Sequence, residues 1–179
     1  MRSSTKGLLF ALLLSIGLPT LAAAEEIVLD PARKAALLAL PSIDGPSLSA
    51  ADLEDRVVVV NFFASWCPPC HPEFDNLIQL DRDYRARGVT VVSVNIFEDF
   101  FGEDGGLRLR GFLAGKAPPF PVLGDGETVA EAFGEVTRIP TLLVFDREGQ
   151  PSLHFVHAEG SKKTHASLDE IKAAVESVL

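Results

Sequence analysis

The stretch VVVVNFF (residues 57–63), running straight into ASWCPPCHP (residues 64–72), decides how the chain folds. Apart from Asn61, Val57 to Phe63 is apolar and rich in β-branched residues, the composition of a central strand covered on both faces. Cys67 and Cys70 follow at once and are the only two cysteines among 179 residues. From Cys67 to about Arg85 the apolar residues Phe74, Leu77, Ile78, Leu80 and Tyr84 recur at helical spacing, and Gly88 ends the run. Val89 to Ile96 reads as a second buried strand. Strand, helix and strand in that order form a βαβ unit of an α/β protein, with parallel strands and a right-handed crossover. Sites in such proteins lie at the carboxyl ends of the strands, where the cysteines fall.

Working outward, Asp30 is placed to cap a helix that begins at Pro31, and the Ala/Leu-rich run continues to Leu40 as helix or passes into a strand. Asp44-Gly45 reads as a turn, and Ser49 caps a single helical turn that ends near Leu53. Beyond the second strand, residues 97–111 set Glu98, Asp99, Glu103 and Asp104 among Phe97, Phe100 and Phe101. This segment reads as a loop entering an amphipathic helix over Leu107–Leu113, with a partner-contacting surface as the alternative. A short strand is expected at Pro121–Leu123, a helix at Glu127–Phe133, and a strand at Leu142–Phe145. The turn Asp146–Gly149 reverses that strand into Ser152–Val156, and Ser167-Leu-Asp-Glu170 is a capping box for a closing helix to Leu179.

The first residues have a separate role. Arg2 and Lys6 precede an apolar run from Gly7 to Leu18, and Ala22 to Ala24 supply small residues before Glu25. This layout predicts a signal peptide over residues 1–24 and a single domain over 25–179, exported to a periplasm-like compartment. An uncleaved anchor is the weaker alternative, because the run falls short of the roughly 20 apolar residues that span a bilayer. Loss of Arg2 and Lys6 takes the net charge from −9 to −11, since residues 1–24 carry no acid. So acidic a chain excludes nucleic acid as a partner. Exported proteins use disulfides to staple small cores, but a bridge closing a loop this short restrains the unfolded chain little. The pair is therefore there for chemistry.

At a helix N-terminus the first sulfur of Cys-x-x-Cys sits where backbone N–H groups and the helix dipole favour a thiolate. Cys67 is thus the attacking thiol and must reach solvent. Cys70, one turn on and more buried, attacks the resulting mixed disulfide. This redox-active disulfide exchanges two electrons with a disulfide-bearing protein and needs no cofactor or metal.

The string Asn61-Phe-Phe-Ala-Ser-Trp66-Cys67-Pro-Pro-Cys70-x-x-Glu73, followed by Phe120-Pro-Val-Leu and Ile139-Pro140-Thr141, closely resembles the exported TlpA/ResA/DsbE-like thioredoxins. The likeness runs from about Leu37 to Leu179. It implies a thioredoxin fold, a mixed central sheet sandwiched by helices, with an N-terminal extension and a central insertion. It also implies a cis Ile139–Pro140 peptide facing the dithiol, with backbone beside the proline pairing with substrate. By the same likeness Trp66 shields the disulfide, and Glu73 lies near it and tunes its proton transfers; the residues alone also fit a core-packing tryptophan and a solvated helix carboxylate. Asn61 stands where cytoplasmic thioredoxins carry a buried aspartate, so Glu73 would take that base's place. Family members are recharged by a membrane electron donor of the DsbD/CcdA type. Their substrates include apocytochrome c and copper-delivery proteins. Two departures stand out: Phe63 replaces a more usual tryptophan, and Pro72 falls at about the fifth position of the active-site helix, where it should bend it.

Pro68 and Pro69 carry no N–H, so a Cys67 thiolate loses two donors, and the disulfide should be a weak oxidant. Two other function classes remain in view. Cys67-Pro-Pro-Cys70-His71 is also a c-type haem-attachment motif, although Met1 is the sole methionine and leaves with the signal. A binding module with an incidental disulfide is the other. His154 and His157 read as surface or core histidines.

Overall fold

The computed structural model describes residues 26–102 and 105–179. The expected signal peptide, and Glu103 and Asp104, lie outside the described residues. Six strands form one mixed sheet in the order β1-β4-β3-β2-β5-β6. These are β1 Ser42–Asp44, β2 Val57–Phe63, β3 Val89–Asn95, β4 Val122–Leu123, β5 Thr141–Phe145 and β6 Pro151–Val156. The helices are α1 Pro31–Ala39, α2 Cys70–Tyr84, α3 Gly105–Lys116 and α4 Leu168–Glu176.

β2 is the hub. It runs parallel to β3, Val57 opposite Val89 through Phe63 opposite Asn95, and antiparallel to β5, Val60 opposite Leu143. Every residue of β2, β3 and β5 is buried. Successive strand residues point to opposite faces, so both faces of the central sheet are covered. The core is continuous across Phe62, Phe63, Phe74, Phe120, Phe133 and Phe145, and α2 and α4 pack on each other beside it.

Local signals account for most ends. The Asp30 carboxylate accepts from Arg33 N at 2.8 Å and caps α1. At the close of the chain, Ser167 and Glu170 form the capping box of α4. The 3-10 turn after α2 ends on Gly88, whose φ of 94° suits glycine.

Three expectations need correction. The active-site helix starts at Cys70, not Cys67: Cys67 to Pro69 form a turn in which Cys67 O accepts from Cys70 N at 3.1 Å. Pro72 is therefore the third helical residue, where a backbone N–H has no intrahelical acceptor, so it costs the helix no bond and has no reason to bend it. The helix expected at Glu127–Phe133 is only a 3-10 turn, Gly126–Thr128, followed by further turns. Asp125 and Gly134 hold φ of 54° and 88° at its two ends, which confines the segment to a few residues and leaves Val129 and Phe133 as separate core anchors. The third helix is longer than Leu107–Leu113, reaching Lys116.

Candidate active site

β2 delivers Ala64 to Cys67 to the carboxyl edge of the sheet, and α2 leads away from it. Cys67 and Cys70 are joined as a disulfide with Cα atoms 5.3 Å apart. Haem attachment would need both sulfurs for thioethers and the following imidazole as iron ligand. Here the sulfurs are bonded to each other, and His71 Nε2 lies 2.8 Å from the Ser65 carbonyl, which fixes Nε2 as the protonated nitrogen.

Cys67 is only 2% exposed and Cys70 1%. The expected contrast, an open first cysteine and a buried second, is not found. Cys67 instead lines a groove of about 450 Å³ whose walls include Trp66, Pro68, Pro69, Phe97, Phe100, Ile139 and His157. The apolar walls leave almost none of its surface to water.

The opposite wall comes from the loop before β5. The Ile139–Pro140 peptide is cis, as the resemblance implied. Ile139 shares the groove with Cys67, and Pro140, buried, is next in the chain. His157 N donates to Pro140 O at 3.0 Å. The sequence reading gave His157 no part in the site. Its place follows from hairpin register: Thr141 pairs with Val156, so the residue after Val156 must lie beside Pro140.

Glu73 is not a solvated helix carboxylate. It is fully buried on the first turns of α2, accepts from Asn61 Nδ2 at 3.0 Å and from Ala166 N at 2.8 Å, and Asn61 Oδ1 in turn accepts from Ser93 Oγ at 3.0 Å. Burial penalises the carboxylate more than these two donors and the charge of Lys163 relieve it, and its pKa rises from the ordinary 4.5 to about 7. Neutral pH thus finds the group near half protonation. Asn61, which could not itself act as base, holds one of its oxygens.

The segment after β3 closes over Trp66. Trp66 Nε1 donates to Phe97 O at 2.7 Å, Ser65 N to Glu98 Oε2 at 3.0 Å and Asn95 Nδ2 to the same oxygen at 2.8 Å, while Ser65 Oγ also bonds the Glu98 carboxylate. Phe100 stacks on the indole with ring centres 5.3 Å apart, and Phe101 meets it edge-on at 5.0 Å. Sequence left this segment open between loop and contact surface. Its position directly after the carboxyl end of β3, the neighbour of β2, was the signal that it would reach the cysteines.

Among the described residues no helix is long and apolar enough to cross a membrane. Comparison with known proteins agrees with this architecture. The chain is 29% identical over 112 residues to the thiol-disulfide oxidoreductase ResA of Halalkalibacterium halodurans, covering 62% of this chain and 60% of that protein. It is 27% identical over 125 residues to the thioredoxin-like protein YneN of Bacillus subtilis, covering 70% and 71%. The chain thus spans about three fifths of the length of the ResA proteins of Halalkalibacterium halodurans and Bacillus subtilis. Among solved structures it shares its fold with a thiol:disulfide interchange protein of the thioredoxin family from Chlorobium tepidum, at a TM-score of 0.61 and 24% identity over 88% of this chain and 99% of that one. StoA from Bacillus subtilis superposes at a TM-score of 0.58 and 20% identity, over 75% and 92%. The Redoxin family pattern matches residues 28–173, most of the sequence, and the chain belongs to that family.

Proposed function

We propose that this protein is an exported thiol-disulfide oxidoreductase that reduces disulfides in other exported proteins. The observation that carries the reading is the Cys67–Cys70 disulfide, whose Cys67 lines an apolar groove, with the buried Glu73 carboxyl on the helix that Cys70 begins. In the reduced protein Cys67 attacks one sulfur of a substrate disulfide. The substrate S–S bond breaks, a Cys67–substrate bond forms, and the departing thiolate takes a proton. Cys70, deprotonated, then attacks the Cys67 sulfur; the mixed disulfide breaks, the second substrate thiolate leaves and is protonated, and the Cys67–Cys70 bond forms. Two electrons and two protons pass to the substrate.

Glu73 is the group suited to take up the Cys70 proton, because its pKa makes either protonation state accessible near neutrality. Trp66 and Ile139 are assigned to hold the substrate chain and Pro140 to shape the wall against which it lies. The oxidised pair is recharged by a membrane dithiol donor of the DsbD/CcdA type, and apocytochrome c or a copper-delivery protein is the substrate class that suits such a reductase. Cys70→Ser tests the reading. The variant should accumulate a mixed disulfide on Cys67 that mass spectrometry identifies, and insulin reduction should vanish in both Cys67→Ser and Cys70→Ser. Reduction that survives both substitutions would sink it.

A further inference from the structure

Phe100 and Phe101 are 71% and 63% exposed, although their rings touch each other and Trp66 at centroid distances of 5.0 to 5.3 Å. Rings that pack to build a core bury their surface; these lean on the groove wall and leave most of theirs to water. They are also held in place. Besides the bonds from Trp66 and Ser65, Phe97 N donates to Glu127 Oε1 at 2.6 Å, and Phe97 itself sits at φ 60°, a left-handed conformation costly for a bulky side chain. A tethered, strained segment that presents two phenylalanines at the rim of a reactive groove is preorganised for contact. Asp99 and Glu127 are exposed beside it, and neither has a cationic partner among the described residues. The rim beside the two phenylalanines is therefore acidic, while Arg138, on the wall that Ile139 supplies, pairs with Glu159 at 3.7 Å; the platform is continuous with the groove that holds Cys67, since Trp66 and Phe100 line both.

We propose that Trp66, Phe100 and Phe101, with the acidic rim of Asp99 and Glu127, form a docking surface for a polypeptide segment that carries an aromatic or aliphatic side chain next to its disulfide cysteine and a lysine or arginine close by. The surface selects the substrate of the proposed reductase, and so rests on that reading. Aromatic side chains at the centre of a contact supply most of its energy, while the rim charges set partner choice and salt dependence.

The test compares two cystine peptides, one with phenylalanine beside cysteine and two lysines, the other with serine and glutamate, against the small disulfide 5,5′-dithiobis(2-nitrobenzoate). In pre-reduced Phe100→Ser/Phe101→Ser protein, kcat/KM for the first peptide should fall about tenfold through KM, a loss typical of a truncated aromatic contact. Phe101 stands outside the groove lining, so Phe101→Ser alone should reduce the small disulfide at the wild-type rate, and Phe100→Leu/Phe101→Leu should recover most of the peptide loss. Added salt should raise KM for the lysine peptide only. Trp66 is the sole tryptophan, so its fluorescence also reports binding of the S-alkylated lysine peptide without any redox step. Equal losses on peptide and small disulfide, no loss on either, or preference for the acidic peptide would overturn the docking surface. So would a wild-type dimer that the double serine variant dissolves, because a second copy would then occupy the platform. Wild-type protein that binds the alkylated peptide but reduces no disulfide would refute the reductase reading and leave the surface standing.

Discussion

Glu73 concentrates the consequences of the fold in a single side chain. A buried carboxyl with a raised pKa binds its proton more tightly folded than unfolded, so folding is favoured while both states are protonated and loses ground as pH rises. With a folded value of about 7 against an ordinary 4.5, the loss begins near pH 4.5 and is complete just above 7, at about 3 kcal/mol. Glu73→Gln should remove this segment of the stability profile. The glutamine carbonyl can still accept from Ala166 N, and a flip of the Asn61 amide lets its oxygen accept from the new NH2 while its nitrogen donates to Ser93 Oγ, so the network survives. Urea denaturation of both proteins between pH 4 and 8 measures the difference. Parallel profiles would mean that Glu73 titrates normally. The position of the glutamate was readable from its spacing after Cys70, but its burial was not: the partners Asn61, Ser93 and Ala166 lie 12, 20 and 93 residues away along the chain. Only the packing of α2 on the sheet and on the segment before α4 brings them together.

At the level of the element, the start of α2 governs the electron affinity of the pair. Helix N-termini stabilise thiolates through free N–H groups, and this helix has few to offer. Pro68, Pro69 and Pro72 have none, Cys70 N donates to Cys67 O at 3.1 Å, and His71 N to Pro68 O at 3.3 Å. Burial of Cys67 further disfavours its charge. A poorly stabilised reduced state makes the disulfide hard to reduce, so equilibration with glutathione should place the potential near that of thioredoxin, about −270 mV, and a value above roughly −200 mV would contradict the argument. Pro69→Ala restores one N–H and should move the potential upward. The prolines were plain in the sequence. That the two following donors are also engaged depends on the helix starting three residues later than its apolar periodicity implied, because Cys67 to Pro69 share the spacing of the helix without its hydrogen bonds. Elsewhere β2 to β6 were legible to within a residue or two, the valine runs of β2 and β3 most plainly, but β1 was not, because Ser42–Asp44 has no apolar run and Asp44 read as part of a turn. The segment at 126–133 was not, because two apolar residues four apart fit a string of turns as well as a helix.

Across the whole molecule, the N-terminal segment ahead of β2 is part of the folded domain rather than an appendage. Leu29 N donates to Gly149 O at 2.8 Å, and a Cβ at Gly149, whose φ is 83°, would lie 2.5 Å from Leu29 O, so the β5–β6 turn and the chain entry are built against each other. Arg33 extends the link: its Nε donates to Ala132 O at 2.5 Å and its Nη1 to Val28 O at 3.0 Å. Leu37, one turn further, is completely buried in the common core. Removing its side chain leaves a cavity that surrounding strands can fill only in part, and Leu37→Ala should cost about 3 kcal/mol. No residue of this segment lines the groove of Cys67, so the damage should stay in stability. Chemical denaturation should show one transition at lower denaturant with an unchanged slope, while the glutathione equilibrium and the rate with a small disulfide remain those of the wild type. A second transition, with the groove intact after the first, would instead make residues 26–40 a separately folding attachment.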